Sequence, residues 1–301
     1  MKIYYLKNQE INFKAYNFCV ENSTQGTIYA MSWYLNITSP GWELLMADDY
    51  NYVMPIPVKK KYFFKYAIQP PLCQQLGVFS LKELTSEVFN CFIEAIPYRY
   101  CNFFLNSENV FDEFASLKFN SNYELDLRYS HEEIRAGFST NCIRNIKKAE
   151  KENLSVENQT DEKVYIDFVM ANCGDRPIKH LIHVLQHLIE GVDKNSKIEI
   201  WNVRNGNHEI LSCVLFVRWT NRFYYLVPIS STEGKLKQSM SFLLDMFIQR
   251  HAKSGFVLDF EGSSIPNIAR YYESFGSQNK PYPKFVKTNK FFDLLVSLRF
   301  K

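Results

Sequence analysis

Two halves of this sequence carry the same order of structural elements, about 156 positions apart. Phe119 lies opposite Phe275, and an apolar run in the first half ends in Phe103-Phe104-Leu105 where the second half has Asp259-Phe260-Glu261. A helical segment at 83–96 likewise matches one at 239–252. Such an echo constrains the fold more than any other feature, because it predicts a duplicated α/β unit. Loops that differ between the two copies are then the places to look for function.

The composition is that of a globular protein with sizeable cores. The chain has 301 residues, of which 46% are hydrophobic and 22% charged, so we expect about two domains. It has no apolar run of membrane-spanning length and no signal-peptide core, which predicts a cytoplasmic protein without membrane insertion. A net charge of +3 does not by itself indicate nucleic acid. Seven scattered cysteines, none in a C-x-x-C pair, argue against a disulfide framework or a zinc knuckle.

Hydrophobic periodicity and turn residues predict the order β-β-β-α-β-α-β in each copy. After a strand at 2–6 and a helix at 12–20, the first copy has elements at 42–47, 52–58, 62–68, 81–96, 99–105, 110–117 and 123–127. After helices at 162–171 and 178–191, the second has elements at 197–203, 209–218, 222–228, 232–251, 256–260, 266–275 and from 285 onward. The predicted fold class is therefore α/β (α+β), with two mixed, mostly antiparallel sheets, each flanked by helices.

A basic helix joins the two copies in this interpretation. Ser130 and Glu133 have the spacing of a capping box, which predicts that the helix starts there and runs to about residue 153. Four cations gather on one side of it: Arg144, Lys147, Lys148 and Lys151. They could contact phosphates of a cofactor or of RNA, or form a solvated surface. The predicted domains are 1–128 and 156–301, with 129–155 as the linking helix.

The most suggestive site is the junction at 227–239, where a strand leads into a helix. A helix N-terminus presents backbone N–H groups and a positive dipole end, which suit a pyrophosphate or another anion. We assign cofactor binding to the residues at this helix start: Ser231, Thr232, Gly234, Lys235, Lys237, Gln238 and Ser239. A capped helix start without a ligand explains the same residues.

Carboxylates follow the next strand of the second copy. Asp259 and Glu261 emerge where an apolar strand ends, and α/β sheets collect ligands at that end. Glu261 could take a proton from an attacking amine, so both residues are candidate catalytic groups. In the first copy Leu105 lies at the position of Glu261, which predicts one active site, chiefly in the second domain and facing the first. A purely structural strand end with a capped helix is the alternative.

Adjacent amides mark the corresponding loop of the first copy. Gln74 and Gln75 follow a rigid Pro-Pro pair and could bind a polar substrate, or could be solvated surface residues. His180, His183 and His187 share one helix face, but Lys179 and Glu190 lie on the same side. These charged neighbours indicate a solvated surface, and no metal is expected.

The β-β-β-α-β-α-β unit, the junction 231–239 and the segment "DFEGSSIPNIARYYESFG" at 259–276 resemble the GNAT acyltransferase superfamily. The basic helix at 144–149 beside a second such domain is similar to the tandem-domain, Fem-like branch, and "QPPLCQQLGVFS" at 69–80 looks like its uncharacterised bacterial members. The resemblance spans nearly the whole chain. It adds Arg270 and Tyr271 to Gln74 and Gln75 as substrate-binding candidates.

This resemblance implies an N-acyltransferase that moves an acyl group to an amine on a small molecule or peptide, without a covalent enzyme intermediate. The donor would be an acyl-CoA thioester or an aminoacyl-tRNA, so tRNA is an expected partner in the second case. The family's cofactor loop usually reads Gln/Arg-x-x-Gly-x-Gly/Ala, whereas this chain has Thr-Glu-Gly-Lys-Leu-Lys at 232–237. Both donors therefore stay open, as does a non-catalytic protein that binds a ligand or partner on a degenerate acyltransferase scaffold.

Overall fold

A computed structural model describes residues 1–61, 64–111, 118–195 and 197–288. The helices are α1 (Phe13–Asn22), α2 (Ser32–Thr38), α3 (Ser86–Ala95), α4 (His131–Ala136), α5 (Thr140–Ala149), α6 (Glu162–Asn172), α7 (Ile182–Asn195), α8 (Thr232–Leu236), α9 (Ser239–His251) and α10 (Pro266–Glu273). The strands of the first part are β1 (Tyr4–Leu6), β2 (Glu43–Ala47), β3 (Tyr52–Ile56), β4 (Val58–Lys61), β5 (Phe64–Ile68), β6 (Phe79–Ser80), β7 (Cys101–Phe104) and β8 (Lys118–Asn120). Those that follow are β9 (Tyr123–Asp126), β10 (Ser155–Glu157), β11 (Lys197–Arg204), β12 (Ile210–Trp219), β13 (Arg222–Ser230), β14 (Val257–Asp259), β15 (Gln278–Asn279) and β16 (Tyr282–Lys287).

The chain forms two compact units. One comprises residues 1–120 together with 281–301, and the other comprises residues 121–280. The first unit contains a four-stranded sheet in the order β1-β2-β3-β6 and a five-stranded sheet in the order β4-β5-β7-β16-β8. Most of their strand pairs are antiparallel, whereas β5 and β7 run parallel. Its core is built by inward-facing residues of both sheets and by α3, whose Phe89 and Phe92 are fully buried.

The second unit contains one seven-stranded sheet in the order β10-β11-β12-β13-β14-β9-β15. Its pairs are antiparallel except for β13 and β14, which run parallel. Helix α9 buries an apolar stripe against this sheet, where Phe247 stacks on Phe216 with ring centroids 3.6 Å apart. These observations confirm the predicted α/β class with mixed, mostly antiparallel sheets.

The two units repeat each other at the predicted offset. α3 corresponds to α9, β7 to β14, and the parallel pair of β5 and β7 to that of β13 and β14. The strands that end the two copies differ from a simple repeat, because β9 lies in the sheet of the second unit and β16 in that of the first. The units thus divide the chain at 120 and 280, whereas the sequence predicts 1–128, 129–155 and 156–301. The helix predicted at 110–117 lies at 112–117 outside the described residues.

The single helix predicted from Ser130 to about residue 153 is wrong, because the structure has two helices there. The predicted capping box at Ser130 and Glu133 is confirmed at the start of α4. The chain then turns at Gly137, and Ser139 begins α5 by accepting a hydrogen bond from the N–H of Cys142. The break packs closely against a segment distant in sequence: the N–H of Ser139 donates to the carbonyl oxygen of Ser274 over 2.8 Å, and a β-carbon on Gly276 would lie 3.0 Å from the carbonyl oxygen of Gly137. The apolar side chains of this segment that pack in the core of the second unit are Ile134, Phe138, Cys142 and Ile146.

Candidate functional site

A cleft opens in the second unit where the two parallel strands separate. β13 and β14 are paired from Arg222 opposite Val257 to Tyr224 opposite Asp259, and no further. The cleft has a volume of about 490 Å³. It is lined by one residue between α6 and α7 and by residues of β13, α8, α9, α10 and the residue between α8 and α9: Arg176, Tyr225, Pro228, Ser230, Gly234, Lys235, Gln238, Met240, Ser241, Ile268, Tyr271 and Tyr272.

A β-bulge shapes the β13 wall of the cleft. The pairing of β12 with β13 shifts register between Cys213 and Leu215, so that Val227 and Pro228 both lie in the bulge. Val227 has a φ of 45°, which is strained for a β-branched residue. The hydroxyl of Tyr165 donates to the carbonyl oxygen of Val227 over 3.1 Å and so supports the strained peptide. Bulges of this kind redirect side chains beside functional sites.

Tyrosines form the inner wall of the cleft. The ring centroids of Tyr225 and Tyr272 are 6.0 Å apart, and those of Tyr271 and Tyr272 are 5.9 Å apart. The hydroxyls of Tyr271 and Ser241 lie within 3.3 Å of each other. Burial raises the pKa of all three tyrosines well above the usual 10.0. They therefore stay protonated, as hydrogen-bond donors, at neutral pH.

Two cations line the cleft. Arg176 follows α6 and is exposed, with its Nε donating to the carbonyl of Cys173 over 3.4 Å. Lys235 comes from α8. Neither forms a salt bridge with another described residue. The cofactor residues predicted from the sequence include Lys235 but not Arg176, Tyr225 or Tyr272. The sequence gives only weak signals for these three, namely a lone arginine in a loop and pairs of adjacent tyrosines.

The predicted cofactor residues at 231–239 divide into two groups. Gly234, Lys235 and Gln238 line the cleft, whereas the others do not. Ser231 caps α8 by accepting from the N–H of Gly234, and Ser239 is buried with its hydroxyl bonded to Ser212 and to the carbonyl of Gly234.

The remaining two, Lys237 and Thr232, have different surroundings. Lys237 forms salt bridges with Glu152 at 3.4 Å and with Glu233 at 3.1 Å. Thr232 begins α8 and does not line the cleft.

The start of α9 opens onto the cleft. Gln238 adopts a left-handed φ of 58° before this 13-residue helix, and its side chain does not cap the helix. Met240 and Ser241 of the first turn line the cleft. Because the first N–H groups of a helix have no partner within it, this end attracts negative charge. The anion-binding feature predicted at 231–239 thus has its strongest physical basis at α9 rather than at the short α8.

The two predicted catalytic carboxylates have different surroundings. Asp259 is 3% exposed and pairs with Arg222 at 2.9 Å, and Arg222 also pairs with Glu124 at 2.6 Å. Burial raises the pKa of Asp259 despite this pairing. Glu261 is partly exposed and has a φ of 59°. Neither lines the cleft, but Phe260, which precedes Glu261, stacks on the cleft-lining Tyr272 with ring centroids 5.0 Å apart. Glu261 is therefore near the cleft, and a catalytic role for either residue stays a prediction.

The predicted substrate residues are distributed over both units. Tyr271 lines the cleft, but Arg270 is exposed and bonds to Asn267 and to the carbonyl of Pro266 on its own helix. Gln74 and Gln75 belong to the first unit. Gln75 is buried, donates to the side chain of Gln74 and accepts from the N–H of Ser107.

Within the described ranges, no group of three His, Cys, Asp or Glu residues is close enough to hold a metal ion. His180 lies in a 3₁₀ turn before α7, while His183 and His187 lie on the exposed side of α7. In the described part of the chain, no helix is long and apolar enough to span a membrane.

Solved structures with the same architecture cover nearly the whole chain. "Crystal structure of FemX" superposes with a TM-score of 0.67 at 11% identity, covering 98% of this chain and 100% of that one. A tandem GNAT protein from the clavulanic acid biosynthesis pathway gives 0.57 at 9% identity, covering 96% and 100%. The C-terminal domain of a putative lysylphosphatidylglycerol synthetase from Agrobacterium fabrum gives 0.55 at 12% identity, covering 95% and 94%.

No protein-family model matches the chain, and no curated protein sequence matches it either. At identities near a tenth, the structural matches establish the fold alone. The expected similarity in architecture is confirmed: this protein has the tandem GNAT fold of the Fem-like kind.

Proposed function

We propose that the protein is an N-acyltransferase whose active site is the cleft between β13 and β14. The observation that carries the proposal is the meeting of three features in one cleft of the second unit. These are the start of α9, the cations Arg176 and Lys235, and the buried, protonated tyrosines. The tandem GNAT fold supports acyl transfer by analogy.

The first step is to bind the activated donor. An acyl-CoA and an aminoacyl-tRNA both carry phosphates: the pyrophosphate of CoA lies a pantetheine arm away from the thioester, and in the tRNA the terminal nucleotide carries both a phosphate and the acyl ester. The N–H groups at the start of α9 and the ammonium of Lys235 provide a positive site for such phosphates. Gln238, held in a left-handed conformation, donates from Nε2 to the carbonyl oxygen of Lys235 over 2.9 Å and has a second amide N–H at the same end of the helix.

The second step is to polarise the acyl carbonyl. Attack by an amine gathers negative charge on the carbonyl oxygen, and a preorganised donor stabilises that charge most in a site with little water. The hydroxyl of Tyr271 suits this role, because burial keeps it protonated and Ser241 fixes it from the side. Pro228 in the bulge carries no N–H, which leaves the tyrosines as the main neutral donors of the inner wall.

The third step is proton transfer from the amine. A bond forms between the amine nitrogen and the acyl carbon, while the ester C–O or thioester C–S bond breaks. The carboxylate of Glu261 accepts the proton that the nitrogen loses, and the departing alkoxide or thiolate takes one from water. The stacking of Phe260, the residue before Glu261, on Tyr272 supports a position of Glu261 close to this chemistry. No residue needs to form a covalent intermediate.

The basic side of α5 distinguishes the two donors. Lys148 donates from Nζ to the carbonyl oxygen of Leu236 over 2.8 Å, so α5 adjoins the α8 turn that lines the cleft. Arg144 and Lys147 lie on the same helix. An aminoacyl-tRNA extends far beyond the cleft and would use this helix, whereas an acyl-CoA would not require it.

The test is a transfer assay with acetyl-CoA, longer acyl-CoAs and aminoacyl-tRNAs, each with a pool of amines and amino acids. Release of free thiol or of deacylated tRNA, together with a new amide found by mass spectrometry, is the expected result. Glu261→Gln should lower turnover, whereas the matched change Glu190→Gln, at an exposed residue of α7 outside the cleft, should not. An unchanged rate in Glu261→Gln would remove Glu261 from the mechanism.

A non-catalytic ligand-binding or partner-binding protein is the second candidate. It is favoured by the structural partners of Ser231, Lys237 and Ser239, which leave fewer groups for a cofactor than the predicted loop suggests. On this alternative, Glu261→Gln changes the affinity for a ligand, and no acyl donor is consumed. Glu261-dependent turnover of any donor excludes it.

A further inference from the structure

We propose that the hairpin formed by β4 and β5 in the first unit is a docking surface for an anionic membrane. This hairpin patch consists of Lys59, Lys60, Lys61, Phe64 and Lys65. All five side chains are exposed, and Phe64 is 52% exposed. The proposal does not depend on acyl transfer.

The hairpin carries positive charge on both of its faces. Lys59 lies opposite Tyr66 and Lys61 opposite Phe64 on one face, while Lys60 lies directly opposite Lys65 on the other. Directly opposed like charges destabilise a strand pair, so this arrangement costs the free protein stability. Glu43 offsets the charge of Lys65 through a 2.8 Å salt bridge. Lys59, Lys60 and Lys61 form no salt bridge with the rest of the described chain.

Protection of an edge strand accounts for only part of this pattern. β4 is the edge of its sheet, and lysines on an edge discourage pairing with another chain. That role does not call for a half-exposed phenylalanine on the same face as Lys61, nor for a further lysine on β5. The core of the unit includes Val58 and Ala67, whereas the residues of the hairpin patch are exposed.

Lysine and phenylalanine together fit the surface of a lipid bilayer. Phenylalanine enters the boundary between headgroups and acyl chains, while lysine stems lie along it and keep their ammonium groups at the phosphates. Nucleic acid would be the competing partner, but the hairpin patch has no arginine, the side chain best suited to phosphodiester and base recognition. Charge and apolar exposure therefore favour a membrane rich in acidic phospholipids.

The experiment is co-sedimentation of the full chain with phosphatidylcholine vesicles, with and without phosphatidylglycerol. We expect binding only to the acidic vesicles, with affinity falling as salt is added. Replacing Lys59, Lys60 and Lys61 with Gln should weaken binding by about fivefold per lysine. Phe64→Ser should weaken it further and leave the salt dependence in place.

The matched control replaces three exposed lysines elsewhere, Lys14, Lys163 and Lys197, with Gln. It should bind like the original protein, because it leaves the hairpin patch intact. Its net charge equals that of the hairpin variant, so a difference between the two variants cannot come from net charge. The proposal is overturned if the unaltered protein ignores acidic vesicles, or if both triple variants lose binding equally. It is also overturned if single-stranded RNA binds through the hairpin lysines and displaces the vesicles. Circular dichroism of each variant checks that the fold is intact.

Discussion

The carbonyl oxygen of Leu211 occupies the space that a β-carbon on Gly234 would need. Gly234 is thus required for close packing of α8 on β12, whether or not a cofactor is bound. Gly234→Ala should lower the free energy of unfolding by about 1–3 kcal/mol, because the backbone has to move. This outweighs the gain of about 1 kcal/mol that Ala brings to a helix. Urea unfolding measures the change.

Gly206→Ala is the control for that substitution. Its β-carbon would meet the side-chain amide of Asn153, at 2.9 Å, which can rotate away. The loss there should be well below that of Gly234→Ala. Equal losses in the two variants would show that contact with the backbone of Leu211 does not determine the requirement for glycine.

A second prediction concerns pH and the buried carboxylate of Glu43. Burial works against its charge, but hydrogen bonds from Lys65 and from the hydroxyls of Tyr5 and Tyr98 outweigh burial and lower the pKa of Glu43 below the usual 4.5. A lowered pKa stabilises the fold above about pH 4.5, and this contribution is lost as the pH falls through the folded-state pKa. Glu43→Gln should cost about 2 kcal/mol at neutral pH.

The measurement is chemical denaturation of the protein and of Glu43→Gln across acidic pH. The stability difference between them should be constant at neutral pH and should shrink as the solution is acidified below about pH 4.5. Glu94→Gln is the control, since that carboxylate is exposed on α3 and its removal should cost little. A difference that stays constant to low pH would mean that the charge of Glu43 does not stabilise the fold.

Sequence periodicity was sufficient to predict the repeat and most of its helices and strands, because the apolar stripes of α3 and α9 are long and regular. It failed where contacts distant in sequence decide the structure. The turn at Gly137 packs against Gly276, nearly half the chain away. The sequence places β9 in the first copy and β16 in the second, whereas β9 pairs in the sheet of the second unit and β16 in a sheet of the first. The sequence of each strand does not reveal this exchange, since either sheet presents an apolar face to a strand.

The candidate site was only partly predictable for a similar reason. Gly234, Lys235, Gln238 and Tyr271 line the cleft as the junction and the family resemblance suggested. The glycine at 234 suggested room for a phosphate, but the carbonyl oxygen of Leu211 in β12 occupies that space. No local sequence pattern shows that α8 packs on this strand. Arg176 comes from a loop more than fifty positions from β13's end, so only the folded chain brings it to the cleft.

Removal of one hydroxyl tests the proposed chemistry. Tyr271→Phe keeps the ring packing and deletes the proposed donor to the carbonyl oxygen, so kcat should fall by about a hundredfold with little change in KM. Tyr129→Phe, at an exposed tyrosine outside the cleft, should leave kcat unchanged. Because burial raises the pKa of Tyr271 above the usual 10.0, activity should show no decline from tyrosine ionisation up to that pH.

The donor itself can be identified through α5. If the donor is an aminoacyl-tRNA, changing Arg144 and Lys147 to Glu should weaken tRNA binding and lower the slope of log affinity against log salt by about two, one for each lost phosphate contact. With an acyl-CoA donor the same variant should keep its turnover, since these residues do not line the cleft. Filter binding at several salt concentrations, with Lys14→Glu and Lys163→Glu together as the control of equal charge change, separates the two. Unaltered tRNA affinity in the α5 variant would contradict the aminoacyl-tRNA donor and leave acyl-CoA.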